Sequence, residues 1–143
     1  MVLEVTESVF LRDASINLPA FKQLNDLGVR FAMDNFGTGY SSLGHLMSFP
    51  FSKIKIDGSY IAGLPEKHES RIFVRAVAEL ARNLQMQVVA EGVETAEQLE
   101  QVRILGCTDA QGHLFCPARC ASEIHQLFVT EAHKRVTTIS QVA

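Results

Sequence analysis

The chain has 143 residues, of which 47% are hydrophobic and 20% charged, and its formal net charge is −3. This composition is typical of a globular protein with a sizeable core and excludes a mainly disordered chain. The acidic balance, without a basic cluster, argues against binding to duplex nucleic acid. No apolar run is long enough to span a bilayer and the N-terminus does not resemble a signal peptide, so we expect a cytoplasmic protein without a membrane segment.

Five short segments rich in Val, Ile and Phe predict β-strands. In chain order they are 3–6, 29–33, 53–56, 87–90 and a weaker one at 109–111. Helical patterns lie between them: one starts at Asp13 or Ser15 and stops at Gly28, a short run ends at Met47, and two longer ones span 70–84 and 95–106. This alternation predicts an α/β fold with parallel strands, which fits both an open sheet and a (β/α)8 barrel.

Polar side chains, most of them acidic, cluster at the C-terminal end of each predicted strand. They are Glu4 and Glu7, Asp34 and Asn35, Lys55 and Asp57, Glu91 and Glu94, and Gln111. Parallel strands bring these ends to one edge of the sheet, where carboxylates repel one another unless a cation is present. Such a set of oxygen ligands suits Mg2+ or Mn2+ better than zinc. The alternative for any single acid is a helix cap.

Lys55 lies between Ile54 and Ile56 in an otherwise apolar strand. The two-residue period of a strand places its ammonium on the face opposite the isoleucines, near the acids. It serves either as a salt-bridge partner or as a cation that orients a water or stabilises a phosphoryl oxygen.

The segment 34–43, Asp-Asn-Phe-Gly-Thr-Gly-Tyr-Ser-Ser-Leu, follows a strand and contains two glycines that permit tight turns. It matches neither the dinucleotide fingerprint nor the P-loop, so a gating or positioning role is as good an interpretation as a phosphate cradle. The cysteines, Cys107, Cys116 and Cys120, are odd in number and lack zinc spacing, so we expect thiols.

Five motifs, taken in order, resemble the EAL family of cyclic di-GMP phosphodiesterases. They are LEVTES at 3–8, DNFGTGYSSL at 34–43, KID at 55–57, VVAEGVET at 88–95 and QG at 111–112. The resemblance covers residues 3–128, so we interpret 1–128 as the C-terminal portion of an EAL domain and 129–143 as a tail.

The resemblance implies a TIM-type barrel with two divalent ions, Mg2+ or Mn2+, that hydrolyses cyclic di-GMP to linear 5'-pGpG. It implies roles for the residues named above. Glu4 would ligate a metal, Asp34 would bridge or ligate both ions, and Asp57 and Glu91 would complete the second site. Lys55 would hold the attacking water or a phosphate oxygen, Glu7 would anchor the loop 34–43, and Glu94 and Gln111 would support ligands or substrate.

Two departures from the family pattern bear on activity. Asn35 replaces a family aspartate that would ligate a metal, which removes a negative charge, and no E-A-L segment precedes Glu4. With about five strand units of the eight a barrel needs, we expect a partial barrel that forms a homo-oligomer or docks on a chain supplying the missing strands. Two hypotheses remain: a truncated phosphodiesterase impaired on its own, or a non-catalytic module that binds cyclic di-GMP or a protein.

Overall fold

The computed structural model of the protein describes residues 1–6, 14–39 and 43–124, except the side chains of 14–17 and 43–45. Five strands alternate with helices along this part of the chain. The strands are β1 (Val2–Thr6), β2 (Arg30–Phe36), β3 (Phe51–Ile56), β4 (Gln87–Ala90) and β5 (Asp109–Ala110). The helices are α1 (Ala14–Asp26), α2 (Leu43–Ser48), α3 (Gly58–Ala62), α4 (His68–Asn83) and α5 (Ala96–Ile104).

The strands form one parallel sheet in the order β1-β2-β3-β4-β5, so each strand pairs with its sequence neighbour. Parallel neighbours joined by helices are the repeating unit of a (β/α) barrel. The predicted α/β class, with five parallel strand units, is therefore confirmed. Among the described strands, β1 and β5 form the two edges of the sheet.

The hydrophobic core lies on one face of the sheet, beneath the helices. Alternate residues of the central strands point into it, and they are fully or nearly fully buried: Phe31, Met33, Ile54, Ile56, Val88 and Ala90. From α4, Val74, Val77 and Ala81 pack against them at the spacing of one helix face. This packing forces the intervening residues, Lys55 among them, to the opposite face.

The element boundaries differ from the sequence prediction by a few residues. Helix α1 begins at Ala14, so Ser15 lies inside it rather than at its cap, while Asp13 is outside the described residues. Strand β2 continues to Phe36 and so includes Asp34 and Asn35. Helix α3 was not predicted, because its five residues are too few for a periodic pattern. No described helix meets the length and apolarity needed to cross a membrane.

Candidate metal and substrate site

The ammonium of Lys55 lies at the centre of three carboxylates. Its Nζ is 2.8 Å from Oε2 of Glu4, 2.9 Å from Oδ1 of Asp34 and 2.9 Å from Oε1 of Glu91. These residues come from β1, β2 and the end of β4, while Lys55 comes from β3 between them. The structure therefore brings together four of the predicted site residues that are far apart in the sequence.

The charges of this cluster do not balance. One ammonium faces three carboxylates, and the Lys55 side chain is only 7% exposed. Burial lowers the pKa of Lys55, but its contacts with Glu4, Glu91 and Asp34 raise it more, so the net pKa lies above its ordinary value. Burial raises the pKa of Glu91, and the charges of Asp34 and Glu4 add to that rise, while Lys55 opposes it. Another positive charge beside the three carboxylates would reduce the repulsion between them.

Asp34 has a buried carboxylate oxygen that is paired with Lys55 by charge. Its Oδ1 is buried and lacks an aligned hydrogen bond, although the Lys55 ammonium is within ion-pair distance. A buried carboxylate oxygen without a hydrogen bond is costly unless a cation lies beside it, and Lys55 provides that cation here. The ion pairs use one oxygen of each carboxylate, so the donor set fits a hard divalent cation next to Lys55. As they stand, however, no three His, Cys, Asp or Glu side chains in the described chain surround one metal position.

Asp57, a predicted metal ligand, caps a helix here. Its Oδ1 accepts a hydrogen bond from the amide of Ser59, 2.9 Å away, and another from the Ser59 hydroxyl. One oxygen of Asp57 therefore acts as a helix cap, the alternative role of an acid at the end of a strand. The cap also fixes where the carboxylate lies relative to the end of β3.

Asn35 occupies a distorted end of β2. Its φ of 53° is in the left-handed region, which asparagine tolerates better than most residues. The pairing of β2 with β3 shifts register between Met33 and Phe36, as at a β-bulge. The carbonyl of Asn35 then accepts hydrogen bonds from the Thr38 hydroxyl and amide, at 2.9 and 3.4 Å, which closes the turn of the glycine-rich loop.

A cavity of about 710 Å3 opens beside Glu91 at the ends of β4 and β5. Glu94 and Gln111 both line it, together with His113, Phe115 and Arg119. The amide of Glu94 is held by Oε1 of Gln98 at 2.8 Å, and the Gln111 carbonyl accepts from the Val93 amide at 3.0 Å. The cavity has the size of a small-molecule site, and its lining combines apolar side chains with polar groups. Glu7 lies outside the described residues.

Sequence reasoning missed the residues that surround the glycine-rich loop. The rings of Tyr60 and Phe73 stack at a centroid distance of 3.9 Å beneath Gly37, and the Tyr60 hydroxyl donates to the Gly37 carbonyl at 2.9 Å. Both aromatic residues lie more than twenty positions from Gly37 in the sequence. The glycine at position 37 was a signal, because a residue without a side chain lets other groups approach closely, but nothing in the sequence says which groups.

A family model described as "EAL domain" matches residues 1–118. The chain is 45% identical over 114 residues to the bifunctional diguanylate cyclase/cyclic di-GMP phosphodiesterase MucR of Pseudomonas aeruginosa, covering 80% of this chain and 17% of that protein. It is 39% identical over 127 residues to the cyclic di-GMP phosphodiesterase RocR of the same organism, covering 89% and 32%. The chain thus spans a minor part of these relatives.

Solved structures agree with the sequence matches. The PaMucR phosphodiesterase in complex with c-di-GMP aligns with a TM-score of 0.82 at 42% identity, covering 86% of this chain and 50% of that one. The EAL domain of Mycobacterium smegmatis DcpA aligns with a TM-score of 0.83 at 40% identity, covering 90% and 58%. Klebsiella pneumoniae BlrP1, in a manganese/cy-diGMP complex, aligns with a TM-score of 0.75 at 33% identity, covering 79% and 29%.

Proposed function

Because this chain belongs to the EAL domain family, we propose that its carboxylate cluster and the adjoining cavity form part of a site for divalent cations and cyclic di-GMP. In that site the cyclic dinucleotide is hydrolysed to linear 5'-pGpG. The observation that carries the proposal is the excess of carboxylates around Lys55, with one buried oxygen of Asp34 lacking a hydrogen bond.

Glu4, Asp34, Asn35, Asp57 and Glu91 are the residues that would hold the metal ions, Mg2+ or Mn2+. The ions would supply Lewis-acid activation of the phosphodiester and of the attacking water. The capped Asp57 can contribute only through an oxygen outside its hydrogen bonds to Ser59. Asn35 offers an amide oxygen without a charge, so the ion it contacts would be held more weakly than by a carboxylate.

Lys55 supplies a fixed positive charge at the centre of the site. Its raised pKa keeps it protonated at neutral pH, so it acts as a hydrogen-bond donor and not as a base. We assign it to orienting the attacking water or a phosphoryl oxygen, where its charge offsets the charge that develops in the transition state. Glu91, on the far side of Lys55 from Glu4, fixes the ammonium between the strands.

The cavity next to Glu91 is where we place one half of the dinucleotide. Its polar rim includes Glu94 and Gln111, which would hold substrate or support the ligands, and Arg119 offers a guanidinium for a phosphate. Phe115 is 55% exposed and presents an aromatic ring on which a base can stack. Glu7 keeps its assignment as an anchor of the loop 34–43.

A second candidate is a non-catalytic module that binds cyclic di-GMP or a protein. One observation favours it: Asn35 stands where the resembled motif has a charged ligand. The chain covers 50% and 58% of the aligned MucR and DcpA structures. Among the described strands, β1 and β5 each have a single neighbour in the sheet. We therefore propose that β1 and β5 pair with further strands, supplied by another copy or another chain.

Hydrolysis of cyclic di-GMP with Mn2+, followed by chromatography of linear pGpG, tests the function. The chain is assayed alone and after addition of the other half of the MucR phosphodiesterase domain, with Lys55→Met in this chain as the inactive control. Turnover that needs Lys55 supports the phosphodiesterase. Binding of cyclic di-GMP without turnover in either assay supports the non-catalytic module. Absence of both binding and turnover contradicts the phosphodiesterase and the cyclic di-GMP-binding module.

A further inference from the structure

The glycine-rich loop that follows Asp34 is held by an aromatic pair from two helices. Gly37 has a φ of 101°, and a side chain there would overlap the rings of Phe73 and Tyr60. The Tyr60 hydroxyl donates to the Gly37 carbonyl at 2.9 Å while its ring stacks on Phe73. The loop backbone is thus pressed on an aromatic surface and fastened to it by one hydrogen bond.

Helix α3, which carries Tyr60, connects this loop to the end of β3. Helix α3 begins where Asp57 caps it, and Tyr60 lies in its first turn. On the loop side, Gly37 follows directly on Phe36, whose ring stacks on Phe73 at a centroid distance of 6.4 Å. A shift of Tyr60 would therefore move the turn that sets the direction of Asn35 and the last residues of β2.

We propose that Tyr60 is a positioning residue: its hydroxyl, supported by Phe73, fixes the loop so that Asp34 and Asn35 are held in register with Asp57 and Lys55. This inference rests on the proposed function, because it assigns Tyr60 a task at that site. We assign Tyr60 no contact with metal or substrate; it acts through the Gly37 carbonyl. Ordering ligands before the ion arrives lowers the entropy lost on binding.

Tyr60→Phe removes the hydroxyl but keeps the ring stacked on Phe73, so it is the sharpest variant. The matched control is Ser52→Ala, which removes a hydroxyl that donates to the Phe31 carbonyl at 3.1 Å. Both changes delete one side-chain to main-chain hydrogen bond involving the β2–β3 region, but Ser52 lies at the opposite end of the strands. Phe73→Leu is a second variant that removes the stacking partner instead.

Two measurements on the full chain separate positioning from stability. Hydrogen exchange reports the order of the loop without metal, through the Thr38 amide that donates to the Asn35 carbonyl. Titration with Mn2+ alone, followed by the electron paramagnetic resonance signal of the free ion, reports affinity. With Tyr60→Phe we expect both the exchange rate and the Kd to rise about three- to tenfold, the effect of one net hydrogen bond. Ser52→Ala leaves both unchanged.

Unchanged loop exchange in Tyr60→Phe and Phe73→Leu overturns the inference. Faster exchange with an unaltered Mn2+ Kd also overturns it, because Tyr60 would then order the loop without serving the ligands. Equal effects from Ser52→Ala would overturn it as well, because the changes in exchange rate and Kd would then reflect a general loss of stability. A wild-type chain that binds no Mn2+ contradicts the proposed function instead, and the exchange comparison still decides whether Tyr60 orders the loop.

Discussion

Lys55 and Asp34 face each other across neighbouring strands, with Nζ 2.9 Å from an Oδ1 that is buried and lacks an aligned hydrogen bond. The pair joins the lysine of the ion-pair cluster to one of the three carboxylates around it. Its geometry leaves Asp34 able to accept a second cation. The charge of Lys55 and the charge of a divalent ion are therefore expected to act on the same group of carboxylates.

Replacing Lys55 with methionine leaves Glu4, Asp34 and Glu91 to repel one another. We expect the free energy of unfolding to fall by about 3 kcal/mol, the lower end for removing one partner of a buried ion pair, since Glu4 is half exposed. Millimolar Mn2+ should restore part of the loss. Urea unfolding with and without Mn2+ measures both effects.

The control for that substitution is Lys53→Met, two residues earlier in β3 and on the same face of the strand. Among the described residues Lys53 has no ion pair within 4 Å, so its replacement should change stability far less. Equal losses from the two variants, with or without Mn2+, would contradict the assignment of the effect to the carboxylate cluster.

Substitution of Gly37 by alanine tests the crowding of the loop, and Gly28→Ala provides the comparison. Both glycines have left-handed φ values, 101° and 85°, so both variants incur about 1–2 kcal/mol of backbone strain. Only at Gly37 does a new Cβ meet aromatic rings, whereas nothing lies within 4 Å at Gly28. We expect Gly37→Ala to lose at least about 1 kcal/mol more.

Chemical denaturation of the two variants measures the difference. Adding Phe73→Leu to Gly37→Ala should recover part of the extra loss, because the smaller side chain makes room beside the loop. Identical unfolding free energies for Gly37→Ala and Gly28→Ala would show that the rings give way at no cost.

The start of α5 depends on a capping box. Thr95 accepts a hydrogen bond from the Gln98 amide at 3.1 Å, and Oε1 of Gln98 accepts from the amides of Glu94 and Thr95. Thr95→Ala should lower the unfolding free energy by about 1 kcal/mol. Gln98→Ala should lower it more, because it removes the acceptor of two amides together with a buried side chain.

Gln101→Ala is the matched control for the Gln98 variant, one turn further along α5. An amide-bearing side chain is removed in each case, but the Gln101 side chain takes no part in the cap, so we expect a change within about 0.5 kcal/mol. Thermal unfolding of the three variants checks the order. A loss from Gln101→Ala as large as that from Gln98→Ala would contradict a special role for the cap.

The cysteines should differ in reactivity, because burial raises the pKa of the Cys107 thiol to about 11. The exposed Cys120 instead has a lowered pKa, chiefly through its contact with Ser122. The thiolate is the reactive form, and at pH 8 only about one Cys107 in a thousand is ionised. Iodoacetamide should therefore modify Cys120 first and Cys107 only when the pH approaches 11 or the protein unfolds.

Mass spectrometry of the alkylated peptides across a pH series checks this order. Cys107→Ser and Cys120→Ser variants assign the two peptides, and alkylation in urea gives the reference in which the folded environment is absent. Modification of Cys107 at neutral pH, at a rate matching Cys120, would contradict its burial in the folded chain.

The succession of strands and helices along the chain, and with it the α/β class, was predictable because apolar alternation and helical periodicity are local properties. The order of the strands within the sheet was not, since the pattern fits both an open sheet and a barrel. The motifs predicted the EAL family, which the family match confirms. The position of Lys55 between two buried isoleucines also predicted the face on which its ammonium lies, since successive side chains of a strand must point to opposite faces.

Other features required the folded chain. The sequence placed Asp34 and Asp57 in one group of acids, but only tertiary structure decided that Lys55 contacts Asp34 while Asp57 caps α3. The contact of Tyr60 with Gly37 joins residues 23 positions apart and depends on how α3 sits against the loop. Sequence determines which residues a strand or helix presents, because that follows from local periodicity. Which of them meet, and how near, is decided by packing between elements remote in sequence.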